Sequence, residues 1–137
     1  MRILWSFLAG IGIAVLAGLF LLALMPVWRD DARLDDFHER VLAIPLPPET
    51  RSTGDSEAEL SKNSGGSGDY CHFEIRLPLS TGLSEGEIGA YYRKAAITGV
   101  ANEADVRLDW GEDTEDGRAV VVEFSDVYSS DWDFRCT

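Results

Sequence analysis

The chain has 137 residues, of which 24 are acidic and 12 basic, for a formal net charge of −12. Every acidic residue and every basic residue except Arg2 lies beyond Trp28, and an anionic body of that kind excludes nucleic acid and anionic lipid as surfaces for it to lie on. Roughly 110 residues follow the apolar N-terminal stretch, enough for one hydrophobic core and too few for two.

No charged residue interrupts Ile3 to Val27. A helix over that run reaches roughly 37 Å at about 1.5 Å per residue, enough for a hydrocarbon layer of about 30 Å. A cleaved secretory signal has a shorter apolar region followed by small residues, whereas this run closes on Leu24-Met25-Pro26-Val27-Trp28. Residues 1–28 therefore read as an uncleaved signal-anchor that crosses a membrane once, with membrane lipid as its surroundings. Trp5 and Trp28 fall where an indole ring sits at headgroup level. Ser6, Gly10, Ala14 and Gly18 recur every four residues, a helix-packing stripe for a second copy or a partner transmembrane helix. Ala9, Gly12, Ala17 and Ala23 lie off the stripe, so common use of small residues in membrane helices is the competing explanation.

The positive charges flanking the run nearly balance, with Arg2 and the amino group on one side and Arg29, Arg33 and Arg40 on the other. The short N-terminal tail and two cysteines spaced for a disulfide favour an extracytoplasmic domain, with the C-terminal part outside the cytoplasm.

Residues 29–44 read as a membrane-proximal stalk helix, with Leu34, Phe37, Val41 and Ile44 on one face and Asp30 or Asp31 at its start. Pro45, Pro47 and Pro48 end it. Residues 45–69 read as a flexible linker, polar and closing on Asn63-Ser64-Gly65-Gly66-Ser67-Gly68.

Residues 70–137 read as a small α+β domain of order β-α-β-β-β, with a mainly antiparallel sheet and one packed helix. Cys71, Phe73, Ile75 and Leu77 alternate with His72, Glu74 and Arg76; Val106, Leu108 and Trp110 repeat the pattern, as do Val120, Val122 and Phe124. Ser84 and Glu87 have capping-box spacing ahead of Ile88, Tyr91, Tyr92 and Ala95, which predicts a helix ending near Thr98-Gly99. The acidic stretch from Gly111 to Gly117 reads as a hairpin connection. A last strand over Asp131 to Thr137 would turn Trp132, Phe134 and Cys136 inward and Asp133 and Arg135 outward. Cys71 and Cys136 then share the apolar side, and a disulfide between them contributes roughly 4 kcal/mol on a chain-entropy model.

Chemistry is sparse, and no catalytic residue is assigned. His38 and His72 have no partner at ligand spacing, no zinc ligand set is complete, and the acidic turn lacks the closing glutamate of a calcium loop. No metal or cofactor is expected. Serines fall in no nucleophile motif. Glu74, Arg76, Arg107 and Glu123 read as a surface ion-pair ladder. Tyr91, Tyr92, Tyr128 and Trp132 are the candidate interaction surface, since Tyr and Trp bury much area at low entropic cost. The function expected is a membrane-anchored protein displaying an interaction module or envelope-complex accessory subunit with a protein partner. The alternatives are a small membrane-bound hydrolase or small-ligand-binding protein, and an inhibitor or immunity-type protein against a secreted partner.

Overall fold

The computed structural model describes residues 2–63, 70–114, 117–129 and 133–136. Its architecture is α+β: a long apolar N-terminal helix, a mainly antiparallel five-stranded sheet and a second helix. In chain order the elements are α1 (Arg2–Leu42), β1 (Thr50–Ser52), β2 (Glu57–Lys62), β3 (Tyr70–Thr81), α2 (Glu85–Ala95), β4 (Asp105–Thr114) and β5 (Gly117–Ser129).

Helix α1 is one element where the sequence reads as two, an anchor and a stalk. It runs through Pro26, which has no N–H to give the carbonyl one turn back. Over its apolar part the helix is long and apolar enough to cross a membrane, and none of that window is buried within the protein. Ile11, Leu16 and Leu21, which point in three directions around the helix, are all more than half exposed. The last turns behave oppositely: Phe37 and Val41 are 0 % exposed and belong to the core. The predicted stalk is thus a wall of the domain.

The sheet differs from the expected β-α-β-β-β order at both ends. Two strands precede β3 inside the stretch that reads as linker. Strand β2 pairs with Cys71 to Arg76 and β1 with Leu79 to Thr81, so they share one edge of β3. On the side of β2 opposite Ile75, Phe73 and Cys71, only Ala58 and Leu60 are apolar, the third position being Lys62, and two apolar positions leave almost no periodic signal. Backbone hydrogen bonding to β3, which tolerates any side chain but proline, makes these strands.

At the other end, the expected strand over Asp131 to Thr137 is not found; the described residues Asp133–Cys136 form a turn closed by Cys136 N–H to the Asp133 carbonyl at 3.0 Å. The alternation is broken: Asp133 is 0 % exposed and Phe134 66 %, while Cys136 is buried as expected. A four-residue stretch satisfies a period of two by chance, and an ion pair outweighs it here.

Between these ends the prediction holds. Strands β3 and β4 run the same way on either side of β5, so α2 is the crossover of a split β-α-β unit. Helix α2 starts at the predicted cap, where the Glu87 carboxylate accepts from the Ser84 N–H at 2.9 Å and its hydroxyl at 2.6 Å. It stops three residues early because Ala96 turns left-handed at φ 46°. The β4–β5 hairpin is tighter than expected, with Thr114 opposite Gly117. The core lies on one face of the sheet, where Phe73, Ile75, Val122 and Phe124 meet Phe37 of α1 and Ile88 and Tyr92 of α2.

If α1 is a core element, Phe37→Ala should destabilise the full chain in detergent micelles by about 3–5 kcal/mol. Leu42→Ala, at a side chain 54 % exposed, should cost less than about 1 kcal/mol. Urea unfolding followed by near-ultraviolet circular dichroism measures both, and equal costs would show that the helix end is not packed as described.

Candidate functional site at the joint of the long helix and the sheet

The cysteine bridge sits where α1 enters the domain. Cys71 at the start of β3 and Cys136 in the terminal turn form a disulfide with Cα atoms 4.9 Å apart, closing 65 residues of sequence. Two fully buried aspartates lie against it. Asp30 Oδ2 is 4.0 Å from Cys71 Sγ, and the Asp133 side chain lies against that of Asp30.

Two guanidinium groups complete the cluster. Arg135 donates to Asp133 at 2.7 Å, to Asp31 at 2.6 Å and to the Val27 carbonyl at 3.2 Å, so it ties the C-terminal turn to the last residues of the apolar segment. Arg33 donates to Asp30 at 2.6 Å and to the Tyr128 hydroxyl at 3.2 Å, with its guanidinium 4.2 Å from the Tyr128 ring centroid. Burial pushes the Asp133 carboxyl up, but the hydrogen bonds and charge of Arg135, with the bond from Asp30, outweigh it and hold the group below its usual range. Arg135 is held above its usual value, chiefly by the bond to Asp133. Asp30, Asp31 and Asp133 thus face Arg33 and Arg135 across the joint. Both sulfurs and an Asp133 oxygen lie within 4.8 Å of one another, but a disulfide has no thiolate to offer a metal.

The other predicted residues are dispersed. Tyr92 is 1 % exposed, its ring edge-on to Phe124 at 5.4 Å, and burial pushes its hydroxyl up to about 12. It is core, not surface, because the α2 stripe faces the sheet. Tyr91 is half-buried and donates to the Pro45 carbonyl at 2.8 Å; Tyr128 is occupied by Arg33. Trp132 lies outside the described residues, so no single aromatic patch is assembled among those described. Gly10, Ala14 and Gly18 are exposed on α1, and a Cβ at either glycine meets nothing within 4 Å; the side chain of Ser6 is outside the described set.

Both histidines gain partners that sequence spacing could not show. His38 Nε2 is 2.6 Å from Ser56 Oγ in the β1–β2 loop, beside a cleft lined by Val41, Leu42, Leu77 and Leu79. Among the described residues no carboxylate bonds to His38, so this serine–histidine pair lacks the orienting acid of a catalytic triad. His72 lies 3.8 Å from Glu74 on the open sheet face, where Arg76 bridges Glu74 and Glu123. Arg107 pairs with Asp109 instead.

Asp126 is also spoken for. Its carboxylate accepts from the N–H groups of Ala101, Asn102 and Val127 at 2.7–2.9 Å. A Cβ on Gly99 would stand 2.6 Å from its Oδ2, which requires glycine there. Arg40 of α1 donates to the Thr98 and Gly99 carbonyls of the same loop. Comparison with family models, with curated proteins and with solved structures finds no match for this chain.

Two outcomes follow from these contacts. Asp133→Asn strips Arg135 of its buried anion and should cost about 3 kcal/mol in urea unfolding. A cost below about 1 kcal/mol would show that this pair does not hold the turn. For Asp126, burial pushes the carboxyl up, but the amide bonds prevail and hold it below its ordinary value. A carboxylate lowered on folding stabilises fully above its unfolded value of about 3.9 and loses that contribution as pH falls through the folded value. Asp126→Asn should therefore cost about 1–3 kcal/mol at neutral pH, with the gap to wild type constant above about pH 5 and narrowing below about pH 4. A gap independent of pH would show that charge does not hold the loop.

Proposed function

We propose that this chain is a single-pass membrane protein that holds a small acidic domain against the outer face of a membrane, as a protein-interaction module or an accessory subunit of an envelope complex. The continuity of α1 carries the reading. One helix presents apolar side chains on all sides over its first part and core side chains at Phe37 and Val41. With no flexible segment between the two, a partner meets the domain at a fixed height and orientation above the bilayer.

The side of the membrane is supported by the disulfide, since such bridges form and persist in oxidising compartments. Packing through Gly10, Ala14 and Gly18 belongs to the same proposal.

The test is a reporter active only outside the cytoplasm, fused after Thr137, together with crosslinking in the same membranes. Reporter activity is expected, as is crosslinking that Gly10→Leu reduces and Gly12→Leu does not. An inactive reporter with alkylatable Cys71 and Cys136 would place the domain in the cytoplasm and overturn the reading.

A further inference from the structure

Among the described residues, strand β4 is the outer strand of the sheet and pairs only with β5. It is ten residues long, and a strand of that length leaves a row of backbone donors and acceptors without a neighbour on its far side. The opposite edge is different, because β1 and β2 divide the length of β3 between them.

Beside β4 the helix layer is incomplete. A cleft of about 530 Å³ runs between β4 and the flank of α2, lined by Glu85, Gly86, Arg93, Val106 and Leu108. Val106 and Leu108 point to the helix side of the sheet but remain half-exposed, since α2 sits inward of them over Phe124. The same strand shows Asp105, Arg107 and Asp109 on the open side, all exposed. Exposed Glu103, Glu112 and Asp113 continue the acidic border at the two ends of β4.

We infer that the free edge of β4 is a strand-addition site for an extended basic polypeptide segment whose alternate side chains are apolar and cationic. A strand laid along β4 turns successive side chains to opposite faces. One set fills the cleft over Val106 and Leu108 beneath α2, and the other meets Asp105 and Asp109. Backbone pairing supplies affinity, and the alternation supplies selectivity. Charge sets the class of partner: a second copy of this chain brings the same acidic border and is repelled, while a basic segment is attracted. The inference gives a partner chemistry to the interaction module proposed above and rests on that reading.

The experiment uses the full chain in lipid nanodiscs, open on both sides, so its result is independent of the topology reporter. The probe is a synthetic peptide of about ten residues, matching β4, that alternates lysine and valine. The control has the same composition in two blocks. Amide hydrogen exchange of residues 105–110 should slow about tenfold with the alternating peptide and not with the block peptide. Replacing both Asp105 and Asp109 with Lys should weaken binding about tenfold or more, and Leu108→Glu should weaken it as well. Slowing with the block peptide would reduce the effect to general charge attraction and overturn the inference. So would slowing confined to β2 or the open face, indifference to the substitutions, or concentration-dependent protection without peptide, which would give the edge to a second copy.

Discussion

Helix α1 must satisfy two environments along one axis, and the rest of the molecule is arranged around that requirement. An α-helix meets its own backbone hydrogen-bonding needs, so it passes from an apolar surrounding into a protein core without interruption. What changes along its length is which side chains need cover. From Gly10 to Ala23 the side chains are exposed on all sides. From Asp30 onward one stripe, with Phe37 and Val41 fully buried, faces the sheet. Strands β2 and β3 therefore lie alongside the helix, and the start of β3, the end of β5 and the C-terminal turn gather where the helix enters.

That gathering places two fully buried carboxylates, Asp30 and Asp133, next to the disulfide. Isolated buried carboxylates cost several kcal/mol each. Here the cost is offset by Arg33 and Arg135, which reach in from partly exposed positions. An apolar plug would hold the helix and the C-terminal turn together without fixing their relative rotation. Bonds from Arg135 to Asp31, Asp133 and the Val27 carbonyl fix it by direction. The disulfide then keeps the turn from leaving.

The sheet is finished on one face only. The helices cover Phe73, Ile75, Val122 and Phe124, while the opposite face carries the Glu74–Arg76–Glu123 ion pairs in solvent. Antiparallel sheets tolerate such asymmetry because alternation places polar side chains on the wet side without disturbing the core. The edges are unequal too: β3 is protected by two short strands, whereas β4 is guarded by charge and by an irregularity between Trp110 and Asp113.

Local pattern by itself determined the apolar run, the strands around Phe73, Val106 and Val122, and the helix opening at Ser84. Each carries a period or a cap repeated over enough residues to exceed chance. The Cys71–Cys136 pairing was legible for a reason that did not survive: it was read from a terminal strand, and the bridge is instead made from a turn. Strands β1 and β2 were hidden because a strand stitched to an edge by backbone bonds needs few apolar side chains. The merging of anchor and stalk, the burial of Asp30 and Asp133, the withdrawal of Tyr92 into the core and the meeting of His38 with Ser56 were decided by tertiary structure alone. Each depends on residues 18 to 103 positions apart being brought together, and the free energy of such contacts lies in the pair and not in either segment's own pattern.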